Sequence, residues 1–254
     1  MTPEHLVERT ITIQAPRETV FRFFTDQARW AAWWGAGSTI DARPGGRLLI
    51  RYPDGTEAAG EVLDIRTPER FSFSYGFVSG KPFAAGSSRV TIQLEPEGLG
   101  TRLSLHHDLP DATLRDGFIQ GWRFQLSLFT NIVANEVHAG APGLVDEWFA
   151  AWHEANAGAR ERSLERIATP NVAHRDRFGS TTGIADLVPH ITAAQRFMPG
   201  LHIERRGEVR HCQGMGLVEW VALTADGQER AAGTNVFIFA GDGRIESVTG
   251  FWKM

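Results

Sequence analysis

The stretch TLRDGFIQGWRFQLSLFTNIVANEV, residues 113 to 137, decides the fold. At 100° per residue, Leu114, Phe118, Ile119, Trp122, Leu126, Phe129, Ile132, Val133 and Val137 fall on one broad arc. That is the apolar stripe of a helix lying on a sheet, and it needs a large partner surface. The residues before it supply one. Val7, Ile11 and Ile13 alternate with Glu8, Thr10 and Gln14 as a half-buried strand. Pro16 opens a helix whose apolar side is Val20, Phe21, Phe23 and Phe24, and Asp26 to Trp34 is a second helix. Six strand-like runs follow: Ser38 to Ala42, Arg47 to Tyr52, Thr56 to Ile65, the segment of Phe71, Phe73 and Tyr75, Ser88 to Leu94, and Thr101 to His107. Turns such as Arg43-Pro44-Gly45-Gly46 and Pro53-Asp54-Gly55 make them an antiparallel meander.

Beyond the long helix, residues 139 to 143 have the composition of a linker. Helices are then predicted over Leu144 to Asn156, Ala159 to Ile167 and Gly183 to Met198, with a strand at Asn171 to Phe178. Four strand runs end the chain, Leu201 to His211, Met215 to Thr224, Ala231 to Phe239 and Arg244 to Trp252. The expected class is α+β throughout: residues 1–138 form one domain, 139–143 the linker and 144–254 a second domain. A length of 254 residues with 42% hydrophobic content is enough for two cores.

Composition narrows the function classes. The net charge of −4, without Lys and Arg clusters, gives no footprint for nucleic acid or anionic lipid, and neither is expected as a partner. No apolar run is long enough to cross a bilayer and the first residues do not form a leader, so a cytoplasmic location is expected. Cys212 is the single cysteine, which excludes an internal disulfide. Gly214-Met215-Gly216 lacks the third glycine and following helix of a nucleotide loop, and no cofactor is expected. His106 and His107 point to opposite faces of a strand and cannot chelate one ion together, so no metal is expected either.

Two family resemblances sharpen this reading. VFRFFTDQARWAAWWG, DARPGGRLLIRYPDGTEAAGEVLDIRTPERFSFSY, VTIQLEPEGLGTRLSLHH and the GW of the closing helix are similar, over nearly all of residues 6 to 138, to the bacterial branch of the helix-grip superfamily. That branch is named after the activator of the ninety-kilodalton heat-shock protein ATPase. The resemblance implies a curved sheet gripping the long helix, with a pocket for an apolar molecule between them. FAAWHEAN (149–156), TTGIADL (181–187), MPG (198–200), HCQGMGLVEW (211–220) and GTNVFIFAGDGRIESVTGFW (233–252) resemble the SnoaL-like members of the nuclear transport factor two-like group. These imply a cone-shaped domain of three helices on a curved antiparallel sheet. They also imply aspartate where this chain has Asn156 and Asn235, and an amide cannot abstract a proton. Gly250 stands where cone-fold epoxide hydrolases place an acid.

Candidate ligand-binding residues in the first domain are Tyr52, Phe73 and Tyr75 on strands and Arg115, Phe118, Trp122 and Phe129 on the long helix. Buried phenols must find partners, and a ligand can be one. Trp33, Trp34 and Trp122 read as core packing first and pocket floor second. In the second domain Asn156 and Asn235 are read on apolar faces, where a polar group needs a hydrogen bond. His174, Asp176, His211 and Glu219 are the catalytic candidates, with His174 and Asp176 on one face of a strand. Three functions compete: a two-domain binder of apolar or aromatic small molecules, a cyclase- or isomerase-type enzyme acting on an apolar or polyketide-like substrate, and a chaperone-associated protein. A homodimer is expected through Val236, Ile238, Val248 and Trp252, taken to lie on an exposed sheet face.

Overall fold

The computed structural model describes residues 5–253. Met1–Glu4, counted above in the first domain and read as no leader, lie outside them, as does Met254. The chain divides into two compact units, 1–134 and 135–254, each α+β.

The first unit is one antiparallel sheet with three helices. Its strands are β1 (Leu6–Ile13), β2 (Thr39–Ile40), β3 (Arg47–Arg51), β4 (Glu57–Arg66), β5 (Arg70–Tyr75), β6 (Ser88–Glu97) and β7 (Gly100–Asp108), in the spatial order β1-β7-β6-β5-β4-β3-β2. Period-2 alternation selects the inner face: Val90, Ile92 and Leu94 of β6 lie directly opposite His107, Leu105 and Leu103 of β7, and all six are buried. Helices α1 (Arg17–Thr25) and α2 (Gln27–Trp34) fill the step between β1 and β2. Asp26 divides them, its carboxylate accepting the Arg29 N–H at 2.9 Å as the cap of α2. A 3-10 turn, Ala112–Leu114, leads into α3 (Arg115–Val137).

An aromatic cluster forms the core of this unit. Phe129 of α3 stacks on Phe24 at 5.1 Å and meets Phe23 and Trp33 edge-on, while Trp30 stands edge-on to Phe73 at 5.9 Å. Each such side chain, fully buried, contributes about 1.5–3 kcal/mol. The indole N–H groups inside it are spent locally, Trp33 donating to the Phe23 carbonyl at 3.1 Å and Trp30 to that of Leu49 at 3.4 Å.

The second unit carries α4 (Ala141–Ala151), α5 (Ala157–Ile167) and α6 (Ile184–Phe197) with β8 (Ala168–Asp176), β9 (Gly179–Thr182), β10 (His202–Cys212), β11 (Met215–Leu223), β12 (Glu229–Phe239) and β13 (Ile245–Trp252). The sheet order is β10-β11-β12-β13-β8-β9, with β13 and β8 parallel and the other pairs antiparallel. Trp148, Leu164, Leu187, Ile191 and Phe237 are completely buried in its core.

Three sequence expectations change here. Ala141, Pro142 and Gly143 belong to α4 rather than to a linker, because proline is suited to a first helical turn and Ala141 is buried. Helix α4 stops at Ala151, so Asn156 is not on an apolar helix face. It is the exposed cap of α5, its side chain accepting the Ala159 N–H at 2.9 Å. Val248 and Trp252 do not share a face with Val236 and Ile238. In the β12–β13 register Val236 is opposite Thr249 and Ile238 opposite Ser247, whereas Val248 is opposite Phe237 and points into the core.

Candidate functional sites

A cavity of about 510 Å³ opens in the second unit between its sheet and α4 and α6. Trp148, Trp152, Trp220 and Trp252 line it, and Phe197 and Phe178 are its exposed aromatics, 86% and 57% accessible. Gly233 makes room for one wall: a Cβ there would come within 2.4 Å of the Trp220 ring, so only glycine lets the indole lie across β12. Gly250 leaves room beside the polar floor, since a Cβ there would stand 3.1 Å from Asn235 Oδ1 and crowd it.

His174, Asp176, His190 and Asn235 are the polar side chains of this wall. His174 is packed against Trp152 at 5.3 Å and His190 at 5.5 Å between ring centroids. Burial holds its imidazole neutral, with its pKa pushed down to about 4 against the opposing pull of Asp176. His174 Nδ1 has no hydrogen-bond partner, and neither does the buried Nε1–H of Trp220. Asp176 spends one carboxylate oxygen on the Phe178 N–H at 2.8 Å.

The other two catalytic candidates lie elsewhere. Alternation on β11 buries Val218 and Trp220 and turns Glu219 to the opposite face. His211 bonds His138 at 3.1 Å and Asn135 at 2.9 Å, and His138 continues to the Ala240 carbonyl at 3.0 Å. Sequence reasoning missed His190, although its spacing from Leu187, Ile191 and Ala194 puts it at the edge of the buried face of α6.

A second cavity, about 430 Å³, lies in the first unit between α2, the turn after β3, the end of β5 and α3. Tyr52, Tyr75, Phe118 and Trp122 line it, with Trp33 and Trp34. Phe73 and Phe129 do not, being sealed in the aromatic core at 1% and 0% exposure. Arg115 is also outside it, donating to the Leu6 carbonyl at 3.1 Å. The two phenols bond each other at 2.8 Å, and burial pushes the Tyr52 pKa up to about 12 and that of Tyr75 further still. Behind the wall, Trp122 Nε1–H donates to His107 Nδ1 at 3.0 Å, which fixes the imidazole proton on Nε2 for Ser88 Oγ at 2.8 Å. His107 is therefore neutral and internally satisfied, with its pKa pushed down to about 3 by burial.

Among the described residues no helix is long and apolar enough to cross a membrane. No curated protein matches the sequence. Among solved structures, the chain is similar to a SnoaL-like family protein of Agrobacterium tumefaciens, with 24% identity, 47% of this chain and 99% of that one covered, and a TM-score of 0.43. CalU16 from Micromonospora echinospora matches with 28% identity over 48% of this chain and 71% of that chain, at a TM-score of 0.39. The Aha1 dimer from Colwellia psychrerythraea matches with 16% identity over 49% and 92%, at 0.44. Residues 14–134, which run from the end of β1 through β7 to nearly all of α3, match the family described as Activator of Hsp90 ATPase homolog 1-like protein.

Proposed function

We propose that the protein binds apolar, aromatic small molecules, one in the cavity of each unit. The observation that carries this reading is the placement of the tryptophans. Of eight in the chain, Trp33, Trp34 and Trp122 border one cavity and Trp148, Trp152, Trp220 and Trp252 the other. Concave, mainly aromatic walls with a few unsatisfied polar groups are the usual composition of a small-molecule site. The proposed contacts are Tyr52, Tyr75, Phe118 and Trp122 in the first unit and His174, Asp176 and Asn235 in the second.

The test is quenching of tryptophan emission by N-phenyl-1-naphthylamine, an uncharged aromatic probe. Gly121 lines the first cavity and a Cβ there meets nothing within 4 Å, so Gly121→Phe should fill it. Ala194→Phe on α6 should fill the second. Two saturable sites are expected in the parent, one in each variant and none in the double variant. Quenching that is unsaturable, or unchanged in both variants, refutes the proposal.

A second reading is an acid–base enzyme, favoured by His174, Asp176 and His190 sharing one wall. A neutral imidazole on that wall, such as His174, can accept a proton from a bound hydroxyl or activated C–H. Its mark would be turnover lost in His174→Gln while probe affinity stays. The chaperone-associated reading rests on the family description alone.

We also propose a homodimer through the outer face of β11–β13, which keeps Val236 and Ile238 of the residues first expected and drops Val248 and Trp252. Met215, Leu217, Val236, Ile238 and Phe251 lie on that face, with Met215 and Phe251 49% and 59% exposed. Sedimentation should give twice the chain mass, and Phe251→Glu should return it to the monomer. A monomer at high concentration refutes it.

A further inference from the structure

The cavity of the first unit has no Asp, Glu, Lys, Arg or His in its wall among the described residues. Several of its side-chain donors are spent inside the protein. Trp33 Nε1–H is taken by the Phe23 carbonyl, Trp122 Nε1–H by His107, and the Gln125 amide donates to the Trp33 carbonyl. Trp34 Nε1–H has no acceptor either, but it is sealed in the packing and not presented to the cavity. The donor left over at the cavity is a phenol proton. Two hydroxyls bring two protons, only one can lie between Tyr52 and Tyr75, and the other has no acceptor in the protein.

The Trp34 ring packs edge-on against Tyr52 and against Trp122, with centroids 5.9 and 5.8 Å apart, and so fixes one side of the pair. A buried donor without an acceptor costs the folded protein a factor of about ten to a hundred in an equilibrium constant, which a bound acceptor recovers. An ionised ligand would find no countercharge here and would forfeit its hydration. Both phenols also stay protonated across the physiological range, so the pair offers a proton and not a charge.

Resting on the binding function proposed above, we infer that this cavity selects uncharged aromatic molecules bearing an acceptor oxygen, such as an aryl ketone or quinone. The free hydroxyl of the Tyr52–Tyr75 pair is the group that reads that oxygen. Recognition is therefore by hydrogen-bond donation, and the same skeleton without the oxygen is discriminated against.

The test uses 9-fluorenone and fluorene, which share a tricyclic skeleton and differ by one carbonyl. The full-length chain carries Ala194→Phe so that only the first cavity is read. On hydrophobicity alone fluorene would bind at least as well. The expected result is fluorenone tighter by about tenfold or more, the advantage of satisfying one buried donor. Tyr52→Phe together with Tyr75→Phe should abolish that preference, read as the ratio of the two affinities within each variant. Where a variant fails to fold, the carbonyl stretch of fluorenone bound to the parent decides instead. A shift to lower frequency than in hexane supports donation to the oxygen, and no shift refutes it. Equal binding of the two probes overturns acceptor selection while leaving the cavity a binding site. Tighter binding of fluorene-9-carboxylate than of fluorenone overturns the exclusion of charge. If neither probe binds and Gly121→Phe changes nothing, the binding function of this unit fails as well.

Discussion

Arg160→Met should lower the unfolding free energy of the protein by about 3 kcal/mol, the cost of losing a buried guanidinium's hydrogen bonds to four acceptors. Arg160, on α5, has no exposed surface. It spends all five guanidinium hydrogens: Nε and Nη2 on the Glu154 carbonyl, Nη1 on the Val188 carbonyl at 3.1 Å and Thr192 Oγ1 at 2.7 Å, and Nη2 again on Gln195 Oε1 at 2.8 Å. No carboxylate pairs with it among the described residues, so its work is to tie α5 to α6 and to the loop ending α4. Methionine fills similar space and satisfies none of these acceptors. Lysine keeps the charge but brings three donors without the planar fork, and Arg160→Lys should fall between the two. Urea unfolding of the full chain measures the loss, and a change below about 1 kcal/mol for methionine would contradict this account.

Acid should weaken both units through buried neutral histidines. His107 has a folded pKa of about 3 and an unfolded value near 6.5. Between those values the unfolded chain takes up a proton that the folded chain refuses, so stability is fully present above pH 6.5 and is lost as the pH falls toward 3. At pH 4 the loss from this one residue is about 3 kcal/mol. His174, folded at about 4, acts in the same direction and contributes most of a similar amount by that pH. Unfolding free energies measured at pH 7 and pH 4 should show the drop. His107→Gln, which keeps an amide donor and acceptor but cannot titrate, should remove its share. A pH-independent stability over that range would show that these imidazoles are hydrated rather than sealed.

Much of the fold was legible because it depends on short-range periodicity. The helical arc from Leu114 to Val137 and the alternation in Ser88 to Leu94 can be read without knowing what they touch. Strand β9, Gly-Ser-Thr-Thr, was not legible, since it is short, polar and held only by pairing with β8. Asn156 was misplaced because local spacing did not reveal where α4 stops, and the side chain is a cap. Faces were harder still. Bulges shift the register of β13 against both of its neighbours, so counting by twos cannot carry from Ile245 to Val248, and both are buried.

The candidate sites were partly legible for a related reason. Tyr52, Tyr75, Phe118, Trp122, His174, Asp176 and Asn235 all border a cavity. Being aromatic or polar in an amphipathic pattern is enough to suggest that. Phe73 and Phe129 have the same signature and sit in solid packing, because the difference is a void between elements and not a property of either element. Trp34 and Trp220 each lack a hydrogen bond, and a missing bond has no sequence signal.

The tyrosine pair has one more consequence. The sequence contains only these two tyrosines, and both border the same cavity. Biosynthetic labelling of tyrosine therefore places isotope at a single location without any substitution. The label yields two ring signals, and any perturbation of either is an event in that cavity. Nature has supplied this molecule with a built-in reporter whose background is zero.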